Sequence, residues 1–195
     1  LSEVHSPLFG RALVSSGFAV GGGAIAKTPS IATALTDRAI QLADRLSCPT
    51  IELRGGIMPG RHWHHDSTTY LGFARDLAGD DEAELLAIPR KQRAEVRRAL
   101  GFDLEVIAGS SDRAEHYAVY AESVRNLGSP VFPRALFEAV LDEFADEADI
   151  LTIRCKGRAV ASVLSLYWRG TVMPYWGGGT WEARRLRAND RMYYE

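Results

Sequence analysis

The chain has 195 residues, 46% of them hydrophobic, which is enough for one large or two small domains with their own cores. A formal net charge of -2 at pH 7 argues against a protein that binds nucleic acid or an anionic membrane through overall positive charge. No apolar run approaches the roughly 20 residues that a membrane span requires. The two cysteines, Cys48 and Cys155, exclude a disulfide framework and favour a reducing, cytoplasmic location. The start lacks the segments of a signal peptide, and Leu1 and Glu195 lead us to expect a chain cut at both ends.

The N-terminal part alternates short β-runs, glycine-rich turns and helices. Residues 8–14 and 18–20 predict two short strands, and the Gly-Gly-Gly sequence at 21–23, here called the first glycine triplet, follows them. Thr28 then opens a helix, because the next residue is Pro29 and proline suits the first helical position. The apolar residues at helical spacing predict the buried stripe of this helix: Ile31, Leu35, Ala39, Leu42, Ala43 and Leu46.

Two further β-runs surround a histidine-rich loop. Residues 49–53 predict a strand, and residues 68–73 are rich in β-forming side chains. The loop between them carries four groups that are able to bind a metal: His62, His64, His65 and Asp66. Histidines at positions i, i+2 and i+3 of one loop are not a usual spacing for a closed zinc site. We therefore predict no metal.

A basic helix face comes next. Acidic residues 80–82 begin one helix and Pro89 begins a second, which carries positive charge against one acid, Glu95. Four of its outward-pointing side chains are predicted to bind a polyanion: Arg90, Lys91, Arg93 and Arg97. Arginine makes charge-assisted contacts that suit the phosphates of tRNA or of a diphosphate. The alternative is a solvated helix face, which is the usual role of such a charge run.

From residue 103 onward the pattern predicts a mixed α+β unit with an antiparallel sheet. Its successive elements are a strand, two helices and three strands, at residues 103–108, 117–127, 133–144, 151–156, 159–166 and 171–176. The three last strands are short, consecutive and joined by tight turns, so they predict an antiparallel meander. A second Gly-Gly-Gly sequence follows the meander, and Thr180 is a good N-cap for a final helix.

This second glycine triplet, Gly177, Gly178 and Gly179, is the candidate anion site. A glycine-rich turn at the start of a helix aims backbone N–H groups at an anion. The alternative is that the glycines only let the chain bend sharply. The preceding Tyr175 and Trp176 are predicted to stack on a sugar or base, or else to belong to the core.

An internal repeat divides the chain. Residues 8–11 precede the first glycine triplet much as residues 166–169 precede the second. The same order of predicted elements surrounds both copies, which indicates a duplication. We place the domain boundary near Gly101, between an N-terminal domain of residues 1–101 and a C-terminal domain of residues 102–195.

The order of elements after residue 103 resembles the GNAT acyltransferase fold, and two such units in tandem resemble the Fem-type (FemAB-like) aminoacyl transferases. The segments that carry this resemblance are SPLFGR at 6–11, IELRGG at 51–56, IPRKQRAEVRR at 88–98, NLGSPVF at 126–132, and YWGGG at 175–179 with AND at 188–190. Together they are similar to the FemAB-like proteins of exosortase and exopolysaccharide systems. The resemblance implies tandem GNAT-like domains, each a mostly antiparallel sheet flanked by helices and each partial here.

The resemblance also implies an activity. Fem-type enzymes move an activated acyl or aminoacyl group to an amine of a peptidoglycan, exopolysaccharide or other cell-envelope precursor, with aminoacyl-tRNA as donor and no resident cofactor. Acyl-CoA is the less expected donor, because the pattern Gln or Arg, two residues, Gly, one residue, then Gly or Ala is absent before the third helix. The alternatives are a non-catalytic module that binds such a precursor and an acyl-CoA N-acyltransferase.

The resemblance places contacts to an acceptor phosphate around the loop that Arg125 and Arg134 flank, although arginines at helix ends are more often plain surface groups. It assigns no catalytic residue, because the late lysine of Fem-type enzymes has no counterpart before Glu195. We therefore expect residues 1–195 by themselves to bind ligand weakly without transferring a group.

Overall fold

The structure is a computed structural model that describes every residue of the chain except Phe18 and Arg61. Its residues form two units, Leu1–Ala74 and Arg75–Glu195. This division lies N-terminal to the predicted boundary near Gly101, because the basic helix that precedes Gly101 packs on the C-terminal helix of the second unit. None of the described helices has the length and apolar character needed to cross a membrane.

The N-terminal unit is a small three-stranded sheet with one long helix. Its strands are β1 (Ser2–Ser6), β2 (Gly10–Val14) and β3 (Thr50–Glu52), in that order across the sheet, and its helix is α1 (Pro29–Arg45). Strands β1 and β2 are antiparallel, whereas β2 and β3 are parallel because α1 forms the crossover between them. Leu13 of β2, Ala43 of α1 and the thiol of Cys48 form its small core.

Helix α1 begins where the sequence predicts, but its buried face is shifted. The Thr28 hydroxyl accepts a hydrogen bond from the Ile31 N–H, which confirms the N-cap. In the first turns Ile31 and Leu35 are nearly half exposed, and the neighbouring Ala32 and Thr36 are buried instead. The short side chains let α1 approach its sheet closely, and the larger residues are left at the edge of the contact.

The stretch between Glu52 and Asp81 contains no helix or strand among its described residues. The β-run predicted at 68–73 is therefore wrong, and its aromatic residues are almost fully exposed, Tyr70 by 89% and Phe73 by 92%. Strand propensity is realised only where a neighbouring strand offers hydrogen bonds and a surface to pack on. The predicted strand at 18–20 includes Phe18, which lies outside the described residues, and Ala19 and Val20 form no strand.

The C-terminal unit is a four-stranded antiparallel sheet with helices on both faces. Its helices are α2 (Asp81–Ala87), α3 (Arg90–Leu100), α4 (Arg113–Asn126), α5 (Arg134–Phe144), α6 (Trp181–Leu186) and α7 (Ala188–Tyr194). Its strands are β4 (Glu105–Gly109), β5 (Ala148–Cys155), β6 (Arg158–Trp168) and β7 (Thr171–Gly179), which lie side by side in chain order. The predicted succession of strand, two helices and three-stranded meander is confirmed, and the predicted final helix is divided at Arg187 into α6 and α7.

Side chains of β6 point alternately to the two faces of the sheet, and helices cover both faces. Ala161 and Val163 face one side and pack with residues of α6 and α7, such as Met192. Ser162 and Leu164 face the other side, where α4 and α5 cover the sheet. Both faces of β6 are buried, so its central residues read as an almost continuous apolar run.

Candidate active site

The second glycine triplet ends strand β7 and does not form a turn. Gly177, Gly178 and Gly179 pair with Val163, Ser162 and Ala161 of β6, and none of the three glycines has a positive φ. The predicted glycine turn is therefore wrong, and so is the alternative of a sharp bend.

Close packing explains why glycine occupies these positions. A Cβ atom built on Gly178 would lie 2.5 Å from both the Cβ and the Oγ of Ser123, on α4. A Cβ on Gly179 would lie 2.3 Å from the Asn189 side-chain oxygen, on α7. These positions lack side chains so that helices on both faces can approach β7.

Strand β7 forms one edge of the sheet. It pairs with β6 on one side, and no strand of the described residues pairs with its other side. Alternate backbone N–H and C=O groups of β7 therefore point away from the sheet, which is an arrangement that accepts an extended ligand or a further strand. Only Thr180 separates this edge from helix α6.

The start of α6 already holds a carboxylate of the protein. The Trp181 N–H donates to the Oε1 atom of Glu122, on α4, over 3.0 Å. The Thr180 hydroxyl accepts from the Ala183 N–H at 3.4 Å, as predicted for an N-cap. A negative charge at this helix start disfavours the binding of a phosphate at the same place.

An open cavity of about 490 Å³ lies along the C-terminal half of α4. Two charged residues of α4 line it, Glu122 and Arg125, one helical turn apart. Its remaining lining residues are small or apolar: Ala118, Ala121, Ser129, Pro130 and Val131. The cavity combines opposite charges with an apolar wall, which is typical of sites for small organic ligands.

The sequence that forms these features matches a known family. A sequence profile described as the acetyltransferase (GNAT) domain matches residues 87–195, more than half of the chain. The chain belongs to the GNAT acetyltransferase family. The crystal structure of FemX has the same fold as this GNAT domain, with a TM-score of 0.55 at 11% identity, over 59% of this chain and 46% of that one. The prediction of a GNAT fold is thereby confirmed, and the resemblance to Fem-type proteins extends to the fold of FemX. No curated protein sequence matches the chain.

The match covers less than half of the FemX chain. The profile begins close to helix α3, so α3 is part of the GNAT domain, in agreement with its packing on α7. That the N-terminal unit is a second GNAT-like domain stays a prediction.

The aromatic pair before the triplet belongs largely to the core of the GNAT domain. Trp176 is 8% exposed and its ring centroid lies 5.0 Å from that of Phe137, on α5. Tyr175 is half-buried and packs edge-on against Trp176 at 4.9 Å. Trp176 therefore fits the core alternative, because a buried indole presents no face to a sugar or base.

The two arginines that flank the interhelical loop differ. Arg125 lines the cavity, is exposed, and lies within 4 Å of no acid among the described residues. Arg134 pairs with Glu138 of its own helix at 2.7 Å and does not line the cavity. Of the two predicted contacts to an acceptor, the structure brings Arg125 to the cavity.

The basic face of α3 is not uniform. The Arg93 guanidinium donates to the backbone oxygens of Leu86 at 2.8 Å and Ile88 at 3.0 Å, so it binds the end of α2. Arg90, Lys91 and Arg97 are exposed. The predicted polyanion surface is thus available through these three residues, and Arg93 has a structural role of its own.

A buried polar chain in the GNAT domain escaped the sequence analysis. His116 of α4 is 0% exposed, and its Nδ1 lies 3.0 Å from the Ser162 hydroxyl, which lies 3.2 Å from that of Thr152. Burial lowers the pKa of His116 to about 4, so its imidazole is neutral at pH 7. The distance suits a Ser–His nucleophile pair, but Ser162 is fully buried and no substrate reaches it. The hydrogen-bonded side chains instead connect α4 to the sheet. The signal in the sequence is the polar residue at the middle of an apolar strand.

The histidine-rich loop forms no cluster in the described part of the chain that could hold a metal ion. Asp66 instead organises the backbone after it, since one of its oxygens accepts from the N–H groups of Thr68 at 2.9 Å and Thr69 at 3.0 Å. Hydrogen bonds from Thr69 and Thr68 hold the pKa of Asp66 well below its usual range.

Proposed function

We propose that this chain contributes to the transfer of an activated acyl or aminoacyl group to an amine of a cell-envelope precursor. The observation that carries the proposal is the open edge of β7 in a GNAT domain, next to a charged cavity whose Glu122 binds the residue that begins α6. The resemblance of the sequence segments to FemAB-like proteins supports the envelope substrate, and the fold of FemX agrees with a GNAT scaffold for such a reaction.

The geometry suits a reaction that depends on alignment. The acceptor amine attacks the ester carbonyl, the C–N bond forms as the C–O bond breaks, and the proton of the nitrogen leaves with the alcohol oxygen. Backbone N–H groups on the open edge of β7 are preorganised donors for the developing oxyanion. The cavity holds the second substrate, and fixed alignment of two reactants lowers the barrier without a strong protein base.

An aminoacyl ester is favoured over acyl-CoA as donor. The Glu122 carboxylate occupies the first N–H of α6, where it repels the pyrophosphate of a coenzyme. The sequence also lacks the glycine pattern that CoA-dependent members carry before this helix. The exposed Arg90, Lys91 and Arg97 offer the positive charge that a tRNA backbone requires.

The test is a transfer assay with defined donors. Residues 1–195 and any longer chain that contains them are incubated with alanyl-tRNA or acetyl-CoA and an amine-bearing, nucleotide-linked peptide precursor, and products are analysed by mass spectrometry. We expect the alanyl mass increment from alanyl-tRNA with the longer chain and none with residues 1–195 alone. In the longer chain the increment should be lost in Arg125→Gln and kept in Lys156→Gln, which changes an exposed charge on the β5–β6 turn. A gain from acetyl-CoA alone would identify an N-acyltransferase instead.

Thermal shift with the same compounds separates binding from catalysis. A ligand that binds only the folded state raises its apparent stability. Stabilisation by the precursor without transfer from any donor, in the longer chain as well, would identify a binding module on a GNAT scaffold.

A further inference from the structure

Glu122 and Arg125 lie at positions i and i+3 of α4, where side chains of opposite charge normally pair with each other. They do not pair here. The Oε1 atom of Glu122 accepts from the Trp181 N–H at 3.0 Å, and Arg125 has no acid within 4 Å among the described residues. Two opposite charges therefore line one cavity without neutralising each other.

The hydrogen bond from Trp181 explains how this state persists. It holds the carboxylate toward the start of α6, away from the guanidinium, and uses one carboxylate oxygen. A carboxylate accepts about four hydrogen bonds in total. Glu122, which is half-buried, thus retains capacity for a donor in the cavity.

The apolar lining and the volume of the cavity restrict the kind of ligand that carries this donor. Ala118, Ala121 and Val131 offer small apolar surfaces between the charges, and the cavity volume of about 490 Å³ exceeds that of a single amino acid. Side chains one turn apart on a helix have Cβ atoms separated by about 5–6 Å. The spacing of the two charged side chains and the apolar surface between them match a ligand with a cation and an anion a few bonds apart and an aliphatic part between them.

We propose that the cavity along α4 binds a short peptide end as a zwitterion, with its ammonium group on Glu122 and its carboxylate on Arg125. The inference rests on the proposed function in so far as such a peptide would present the amine that accepts the acyl group. The ammonium must lose one proton before it attacks, so Glu122 selects and positions the amine in its resting state.

The experiment measures binding of L-alanyl-L-alanine to residues 1–195 by isothermal titration calorimetry at pH 7. Two blocked forms serve as matched ligands: N-acetyl-L-alanyl-L-alanine, which lacks the cation, and L-alanyl-L-alanine amide, which lacks the anion. We expect each block to weaken binding roughly tenfold, the usual scale for one charge-assisted hydrogen bond.

Variants assign each charge to its residue. Glu122→Gln keeps the acceptor for the Trp181 N–H and removes only the charge, so it should weaken binding of the free dipeptide about tenfold and leave the N-acetyl form unaffected. Arg125→Gln should weaken the free dipeptide and leave the amide form unaffected. Glu143→Gln on α5 and Lys156→Gln are the controls, because both change exposed charges outside the cavity.

Absence of dipeptide binding, or binding that is insensitive to both variants, would overturn the inference. Dipeptide binding with this pattern but no acyl transfer would leave the inference standing and count against the proposed function. Acyl transfer without dipeptide binding would support the proposed function and overturn the inference about the cavity.

Discussion

The two glycine triplets look alike in sequence and have unrelated structural roles. In the first triplet Gly21, Gly22 and Gly23 have φ values of 75°, 146° and 108°, and they lie in an irregular segment. In the second triplet all three residues continue an extended strand. All three positions of the first triplet favour glycine for their backbone conformation, and Gly23 also needs the absence of a side chain, because a Cβ would lie 2.2 Å from the Gly55 carbonyl oxygen. The second triplet needs glycine only for the absence of a side chain.

The difference bears on the predicted duplication. In both units an antiparallel hairpin is followed by a helix capped by threonine, so this part of the element order recurs. The glycine triplets, which suggested the repeat, are the part that does not match in conformation. Duplication of the GNAT domain therefore remains a prediction that rests on element order.

The largest expected effect is a clash at the second triplet. Gly178→Ala brings a Cβ to 2.5 Å from Ser123, and we expect a loss of about 2–3 kcal/mol in the free energy of unfolding. Urea unfolding followed by tryptophan fluorescence measures it, because Trp168, Trp176 and Trp181 all lie in the C-terminal unit.

Removing the opposing side chain is the control for this clash. Gly178→Ala combined with Ser123→Gly should recover part of the lost stability, less the cost of about 1 kcal/mol for a glycine within a helix. Equal stability of Gly178→Ala and the parent chain would show that α4 does not approach β7 as described.

The second largest effect is a dependence of the unfolding free energy on pH, caused by His116. His116 has a pKa of about 4 in the folded state and an ordinary value of 6.5, so the unfolded state binds more protons between these values. Stability from the neutral imidazole is fully present above pH 6.5 and is lost as the pH falls toward 4. We expect a loss of about 2 kcal/mol between pH 7 and pH 5 from this group alone.

Urea unfolding at both pH values tests this, with His116→Gln as the reference for all other titrating groups. The parent chain should lose more stability than the variant over this interval. Identical losses in the two proteins would mean that His116 is not buried in the neutral form.

A smaller effect is expected at the first triplet. Gly21 has a φ of 75° and no atom within 4 Å of an added Cβ, so Gly21→Ala is limited to backbone strain of about 1–2 kcal/mol. Gly21→Asn should cost less, because asparagine tolerates the left-handed region. Hydrogen exchange of the β2 and β3 amides reports the stability of the N-terminal unit. A larger loss for Asn than for Ala would contradict the assigned role.

The smallest effect on stability is expected on the basic face of α3. Replacing Arg90, Lys91 and Arg97 with Gln should leave the unfolding free energy nearly unchanged but weaken RNA binding and flatten its salt dependence. Arg93→Gln should do the opposite, costing about 1 kcal/mol of stability through its bonds to α2 while the salt slope stays the same. RNA titrations at several salt concentrations distinguish these outcomes, and an unchanged slope in the triple variant would make the face a solvated surface.

The sequence alone was sufficient for features that depend on neighbouring residues. Thr28 and Thr180 cap their helices because the groups they bind lie three residues away along the chain. The meander of β5, β6 and β7 follows from alternation and tight turns, and the order of elements was enough to indicate a GNAT domain. The caps and the tight turns are decided within a few residues, and the order of elements follows from such local patterns taken together.

Tertiary structure decided the features that depend on contacts between residues far apart in the sequence. A Gly-Gly-Gly sequence is compatible with a turn or a strand; pairing with β6 makes residues 177–179 a strand, and the approach of Ser123 and Asn189 explains why the strand ends in glycine. The run at 68–73 has strand-forming residues but no partner strand in the described part of the chain, so it stays irregular. Glu122 entered the candidate site through a hydrogen bond to a residue 59 positions away, and no local pattern encodes such a contact.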